Sequence, residues 1–108
     1  MISSDLPIAV LMAHTAEAAE ALKLLANEQR LMVLCRLCQG ECSVGELVEL
    51  TEMSQSSVSQ HLARLREGHM VATRRDGTTI YYRLADERVE ALIGALCDNF
   101  GPKPETSN

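Results

Sequence analysis

The chain has 108 residues, 46 % of them hydrophobic, with few aromatics, no Trp and a formal net charge of −5. Such a length holds one hydrophobic core and not two, and the dominance of Leu, Ala, Val, Ile and Met favours helices over a β-sandwich. The longest early apolar run, Ile8 to Ala13, is too short to span a bilayer and lacks the basic flank of a signal peptide, so we expect no membrane partner and a cytoplasmic protein.

Residues 1–12 show no clear period and are expected to form an irregular arm or a loose extra turn. Ala13 to Ala26 is alanine-rich, with Ala18, Leu22 and Leu25 at helical spacing, and predicts a first helix. Asn27 is suited to cap a second, with Glu28 at the positive end of its dipole. Leu31, Leu34, Cys35 and Cys38 follow on one face while Met32, Val33 and Leu37 make the segment apolar on most sides, which predicts a buried helix ending near Gly40.

Ser43-Val44-Gly45-Glu46 has the spacing of a capping box and opens a third helix whose apolar face would be Leu47, Val48 and Leu50. Thr51-Glu52-Met53 reads as a tight turn, and Ser54 as the cap of a fourth helix. On that helix Val58, Leu62 and Leu65 fall at i, i+4 and i+7 and define the buried stripe. Ser56, Ser59, Gln60, Ala63 and Arg64 then point away from it, with Gln55 and Ser57 at its margin. Serine is a poor helix-interior residue, so a run of four between Ser54 and Ser59 is not there for helix stability.

Glu67-Gly68 is expected to end the helix, and Met70 to Arg75 to run as a strand into Asp76-Gly77, the signal for a two-residue type I′ hairpin. Pairing about that turn sets Val71 opposite Tyr82 and Thr73 opposite Ile80, so that Val71, Ile80, Tyr82 and Leu84 face inward while Arg74 and Tyr81 face out. From Asp86 onward, Val89, Leu92, Ile93, Leu96, Cys97 and Phe100 form a helical stripe longer than a small core needs, which marks a partner surface. Gly101-Pro102 stops this helix, and residues 102–108 are expected to be a disordered tail.

Two short helices, a tight turn and a β-hairpin make a mainly α fold with a β-hairpin wing, a winged helix-turn-helix over residues 13–101. In that fold the second helix of the pair enters the major groove of double-stranded DNA. Small outward residues allow close approach, and Gln55, Ser56, Ser57, Ser59 and Gln60 are the candidates for groove contacts. Arg64 and Arg66 would meet the backbone, and Arg74 and Arg75 would meet phosphates or the minor groove from the wing. Charge is distributed accordingly: Ser54 to Leu84 holds five arginines against two carboxylates, a balance of +3, while the rest of the chain carries −8.

No nucleophile, base and orienting acid stand at recognisable spacing, so no catalytic residue is assigned and no cofactor is expected. None of His14, His61 and His69 has a Cys or His at ligand spacing, and no metal site is assigned. The four cysteines, Cys35, Cys38, Cys42 and Cys97, do not form a secreted disulfide framework and are expected to be reduced. Cys35-x-x-Cys38 followed by Cys42 is similar to a three-thiol zinc cluster, yet it falls in a buried helix without a fourth ligand, which favours a core role for Cys38.

From about Ala16 to Gly101 the chain resembles the ArsR/SmtB family of bacterial winged-helix repressors. The resemblance is carried by LANEQRLMVLCRL (25–37), SVGEL (43–47), MSQSSVSQHLARLRE (53–67) and VATRRDGTTIYYRL (71–84). It implies a homodimer joined through the first and last helices, a near-palindromic operator and repression of transcription. The arsenic-type cysteine motif of the family is absent from the matching stretch Glu46 to Leu50, and the last helix has no His for a zinc or nickel site. Cys35 matches a cysteine of the sulfide- and persulfide-responsive branch, whose second cysteine falls here on Gly101, with Cys97 one helical turn earlier. ALCDNFG at the end of the last helix also resembles the non-sensing members of that subgroup. The resemblance therefore implies control through thiol modification of Cys35 and Cys97 by reactive sulfur or an oxidant. Inert cysteines, an arsenite or soft-metal site of non-standard thiols, and an interaction module that has lost DNA binding remain alternatives.

Overall fold

In the computed structural model, which describes residues 7–100, the elements run α1 (Ile8–Ala13), α2 (Thr15–Leu25), α3 (Glu28–Leu37), β1 (Cys42–Ser43), α4 (Val44–Thr51), α5 (Gln55–Glu67), β2 (Val71–Asp76), β3 (Thr79–Leu84) and α6 (Glu87–Phe100). Helix starts follow the polar caps. Asn27 Oδ1 accepts from Arg30 N at 3.0 Å and Ser54 Oγ from Ser57 N at 3.1 Å. Ser43 and Glu46 close a reciprocal capping box, at 3.2 Å from Glu46 N to Ser43 Oγ and 2.8 Å from Ser43 N to Glu46 Oε1. The bond from the Ser43 N–H holds the Glu46 carboxyl below its usual range.

The predicted core is present, with Val33, Leu34, Leu47, Val58, Leu62 and Leu65 fully buried. Arg30, buried among them, sends Nε to Leu24 O at 2.6 Å and Nη2 to Lys23 O at 3.4 Å, which satisfies carbonyls left open at the end of α2. Two sides of the expectation for α3 and α4 change. Met32 and Cys35 lie at the surface, so α3 is open along one edge. On α4, Leu50 faces solvent, and Thr51, four residues on from Leu47, turns inward and bonds Leu47 O at 2.6 Å. Thr51 thus belongs to the helix, and the turn is made by Glu52 in the left-handed region at φ 61°.

α5 does not end on a left-handed glycine. Its end is a Schellman motif in which Met70 N bonds Leu65 O and His69 N bonds Arg66 O, both at 2.9 Å, with His69 rather than Gly68 at positive φ. Gly68 has a different use: a Cβ there would run into the Leu24 side chain of α2.

The three strands form one antiparallel sheet in the order β1-β3-β2. β1, which the sequence did not predict, pairs Cys42 with Tyr82 and Ser43 with Tyr81. The hairpin register differs from expectation by two residues: Val71 lies opposite Leu84, Thr73 opposite Tyr82 and Asp76 opposite Thr79. Gly77 and Thr78 therefore make the turn, with positive φ at Gly77 alone, which is the Gly-first pattern of a type II′ turn instead of type I′. A slip of two keeps the alternation of faces, but of the row expected to face inward only Val71 is buried: Tyr82 and Leu84 are half-buried, and Ile80, close to the hairpin tip, is exposed.

The arm expected over residues 1–12 ends in helix α1, none of whose residues is buried; the break before α2 falls at His14, whose Nδ1 lies 2.8 Å from Val10 O. Residues 1–6, Gly101 and the expected tail 102–108 lie outside the described residues. On α6 the apolar stripe divides. Val89 and Ile93 enter the core, and Leu92, Leu96 and Phe100 stay exposed.

Capping and outward serines should separate in stability. Ser54→Ala removes the acceptor for Ser57 N and should cost about 1 kcal/mol in a urea melt, whereas Ser56→Ala on the open face should stay within about 0.5 kcal/mol of wild type.

Candidate nucleic-acid interface

Because Val58, Leu62 and Leu65 are turned into the core, α5 presents Gln55, Ser56, Ser59, Gln60, Ala63 and Arg64 to solvent. Ser57 is half-buried at the margin, its N–H taken by the Ser54 cap. The first turn of α5 carries no acid, so nothing opposes the positive end of its dipole. Ser59, Ala63 and Arg66 at i, i+4 and i+7 line a cleft with Glu67 and with Tyr82 of the hairpin. The outward polar face of α5 and the wing thus border one recess, and Glu67 is the carboxylate within it.

The wing arginines are not equivalent. Arg74, cross-strand from Tyr81, lies with its guanidinium 4.8 Å from the centre of that ring. Its Nε is 2.8 Å from both carboxylate oxygens of Glu41, and Asp76 stands 4.0 Å from Nη1. Arg75 sits on the opposite face, that of Tyr82 and so of the α5 cleft, and is exposed. Among the described residues Arg64, Arg66, Arg75 and Arg83 form no salt bridge. Sequence reasoning treated Arg74 and Arg75 alike; only the register and the partner at Glu41 tell them apart.

The suspected thiols lie on neighbouring helices. Cys35 on α3 and Cys97 on α6 are both exposed and free. Burial by its surroundings pushes the Cys35 thiol above its usual range, and neighbouring Cys97 pushes it the same way. Cys38, half-buried as expected of a core residue, feels Cys35, Glu90 and Cys97 after desolvation. Cys42 is the fully buried one, held in β1 beside Arg36 and Glu46. Among the described residues no group of three His, Cys, Asp or Glu side chains is placed to hold a metal ion.

Known proteins resemble this chain in sequence and in fold. The family described as "Bacterial regulatory protein, arsR family" matches residues 27–73, which span α3 to the middle of β2. The transcriptional activator HlyU of Vibrio cholerae is 47 % identical over 83 residues, 77 % of each chain. The chain belongs to the ArsR family. The biofilm growth-associated repressor of Agrobacterium fabrum is 44 % identical over 92 residues, 85 % of this chain and 79 % of that one. The solved repressor BigR of Xylella fastidiosa superposes with a TM-score of 0.85 at 37 % identity, over 91 % of this chain and all of that one.

As an ArsR-family protein with a winged helix-turn-helix, the chain is a DNA-binding transcription regulator and not an enzyme. The geometry then ranks the cations. Arg75→Ala should weaken binding to all duplexes alike and lower the salt slope by about 1, measured by fluorescence anisotropy across a salt series. Arg74→Ala should do less, because Glu41 already occupies that guanidinium, and Glu41→Gln should tighten binding. Equal losses from the two arginine variants would refute the ranking.

Proposed function

We propose that the protein is a cytoplasmic repressor that occupies a near-palindromic operator as a homodimer and releases it when Cys35 and Cys97 become linked. Gln55, Ser56, Ser57, Ser59 and Gln60 of each protomer contact the major groove, while Arg64, Arg66, Arg75 and, once freed from Glu41, Arg74 meet the backbone. Leu22 of α2 and Leu92, Leu96 and Phe100 of α6 line an open apolar groove, which supports assembly through these helices. Two-fold symmetry of the dimer then calls for a two-fold symmetric operator. Among the described residues no helix is long and apolar enough to cross a membrane.

What supports the control mechanism is that two free, exposed thiols, Cys35 of α3 and Cys97 of α6, are near enough for one to perturb the other. A low-molecular-weight persulfide passes its outer sulfur to the Cys35 thiolate and leaves as a thiol. Cys97 then attacks Cys35 Sγ itself and expels the outer sulfur as hydrogen sulfide, so two thiols are oxidised to a disulfide and one sulfane sulfur is reduced. With peroxide the intermediate is a sulfenic acid and water leaves instead. Because α6 contributes to the dimer groove, a bond from α3 to α6 changes the spacing of the two reading helices. A raised Cys35 pKa leaves little thiolate at neutral pH, yet that thiolate is the more nucleophilic.

Anisotropy of a promoter duplex before and after glutathione persulfide tests this reading. Release should accompany loss of two hydrogens in the intact mass, and Cys35→Ala or Cys97→Ala should each keep the DNA bound. Release that persists in Cys97→Ala would defeat the thiol pair. Alkylation of Cys35 should still be accelerating above pH 9, and Cys97→Ala should speed it at any fixed pH by removing a neighbour that raises the pKa.

A further inference from the structure

His61 sits on α5 directly after Gln60, with its ring at the seam between α5 and α3. Its Nε2 lies 2.8 Å from Gln29 Oε1, and its Nδ1 is buried without a hydrogen-bond partner. The two neutral tautomers differ in what they bury. With the proton on Nε2, the ring donates to Gln29 and leaves only a lone pair in the dry position. With the proton on Nδ1, a buried N–H has no acceptor, and Gln29 has to turn its amide round to donate. Orphaned buried N–H groups are the rarer, so the Nε2–H form is the one that fits.

A second proton brings both penalties together. It sets an N–H where nothing accepts it and adds charge beside Arg30 of α3 and Arg64 of α5; desolvation, ahead of these two guanidiniums, keeps the ring below its usual range. Among the described residues the charges that act on the ring are those two guanidiniums. The rest of the seam is apolar, through Val58, Leu62 and Leu65. Such contacts fix how deep α5 sits but have little direction, whereas a hydrogen bond has one.

We propose that neutral His61 is a positioning residue for DNA reading: its Nε2–H bond to Gln29 sets the rotation of α5 on α3, and a second proton drives the ring out and weakens binding. This rests on α5 being the reading helix. Rotation about the α5 axis carries Ser56, Gln60 and Arg64 with it, so His61 acts on DNA without touching it.

The test combines heteronuclear NMR of the full chain, labelled at histidine, with anisotropy of a promoter duplex at constant salt between about pH 5.5 and 8. His61 should carry its proton on Nε2 and titrate below the usual histidine range. His61→Leu should bind several-fold more weakly at pH 7.5 with an unchanged salt slope, and affinity of the wild type should fall as the ring protonates. His61→Gln, which keeps a donor for Gln29 and cannot titrate, should restore affinity and flatten the pH profile. Gln29→Leu, at an exposed position, repeats the loss without disturbing the core, and the two Leu variants should not be additive. A proton on Nδ1, wild-type binding by both Leu variants, or a wild-type pH profile in His61→Gln would overturn the proposal. If a bulky residue at Gln60 left binding intact, the reading-helix assignment itself would have failed, a result separable from failure at His61 alone.

Discussion

Everything α5 offers to a duplex depends on Val58, Leu62 and Leu65 being out of water. Each is fully buried, and burial of such a side chain is worth about 1.5–3 kcal/mol. An outward serine in a helix costs only about 0.5 kcal/mol relative to alanine, so the core decides which face of the helix is buried and the polar row occupies what is left. The ends are then secured separately, by the Ser54 cap at the start and the Schellman closure through His69 and Met70 at the finish. A helix so held can carry a weakly helix-forming surface chosen for contact with DNA.

How much of this could be read from the chain depended on the range of the signal. Caps and the 3.6-residue period are local, so Asn27, Ser43, Ser54 and the stripe of α5 were legible. β1 was not, because two residues cannot show alternation. The Asp76-Gly77 pair fitted two turns, and which residues filled the loop was decided by pairing across the strands, a non-local choice. α1 escaped because the run from Ile8 to Ala13 is apolar all round and none of it is buried, so no period arises. Within the candidate site, the exposed row of α5 and the two thiols were visible in sequence. The partners at distance were not: Glu41 for Arg74, Gln29 for His61, Leu24 and Lys23 for Arg30.

α3 is the element where those distant partners converge. One short helix sends Arg30 to the end of α2, Gln29 to α5 and Cys35 to α6, each from a different side. Helix interiors pack too tightly to deform by degrees. Under the proposed control, a covalent bond at Cys35 and a hydrogen bond at Gln29 therefore act on the same rigid body. The exposed edge of α3, with Met32 and Cys35, is what leaves the thiol accessible while the opposite side stays in the core.

An acidic chain that binds an acidic polymer needs its cations undiluted at one surface, and the structure meets this need unevenly. Among the described residues Arg64, Arg66 and Arg75 form no salt bridge, and Arg66 lines the cleft between α5 and the wing, while Arg74 is held by Glu41. That ion pair is half exposed, and pairs of this kind are worth no more than about 1 kcal/mol. A phosphate that arrives with release of its own counterions competes at that scale. Glu41 therefore does not forbid a contact from Arg74; it lowers the gain from it, and more so for a duplex that meets only one side of the wing. Glu67 places a further carboxylate inside the cleft. On the proposed reading, these carboxylates hold down the attraction for arbitrary DNA, and a larger share of the affinity comes from the fit of small side chains against base edges.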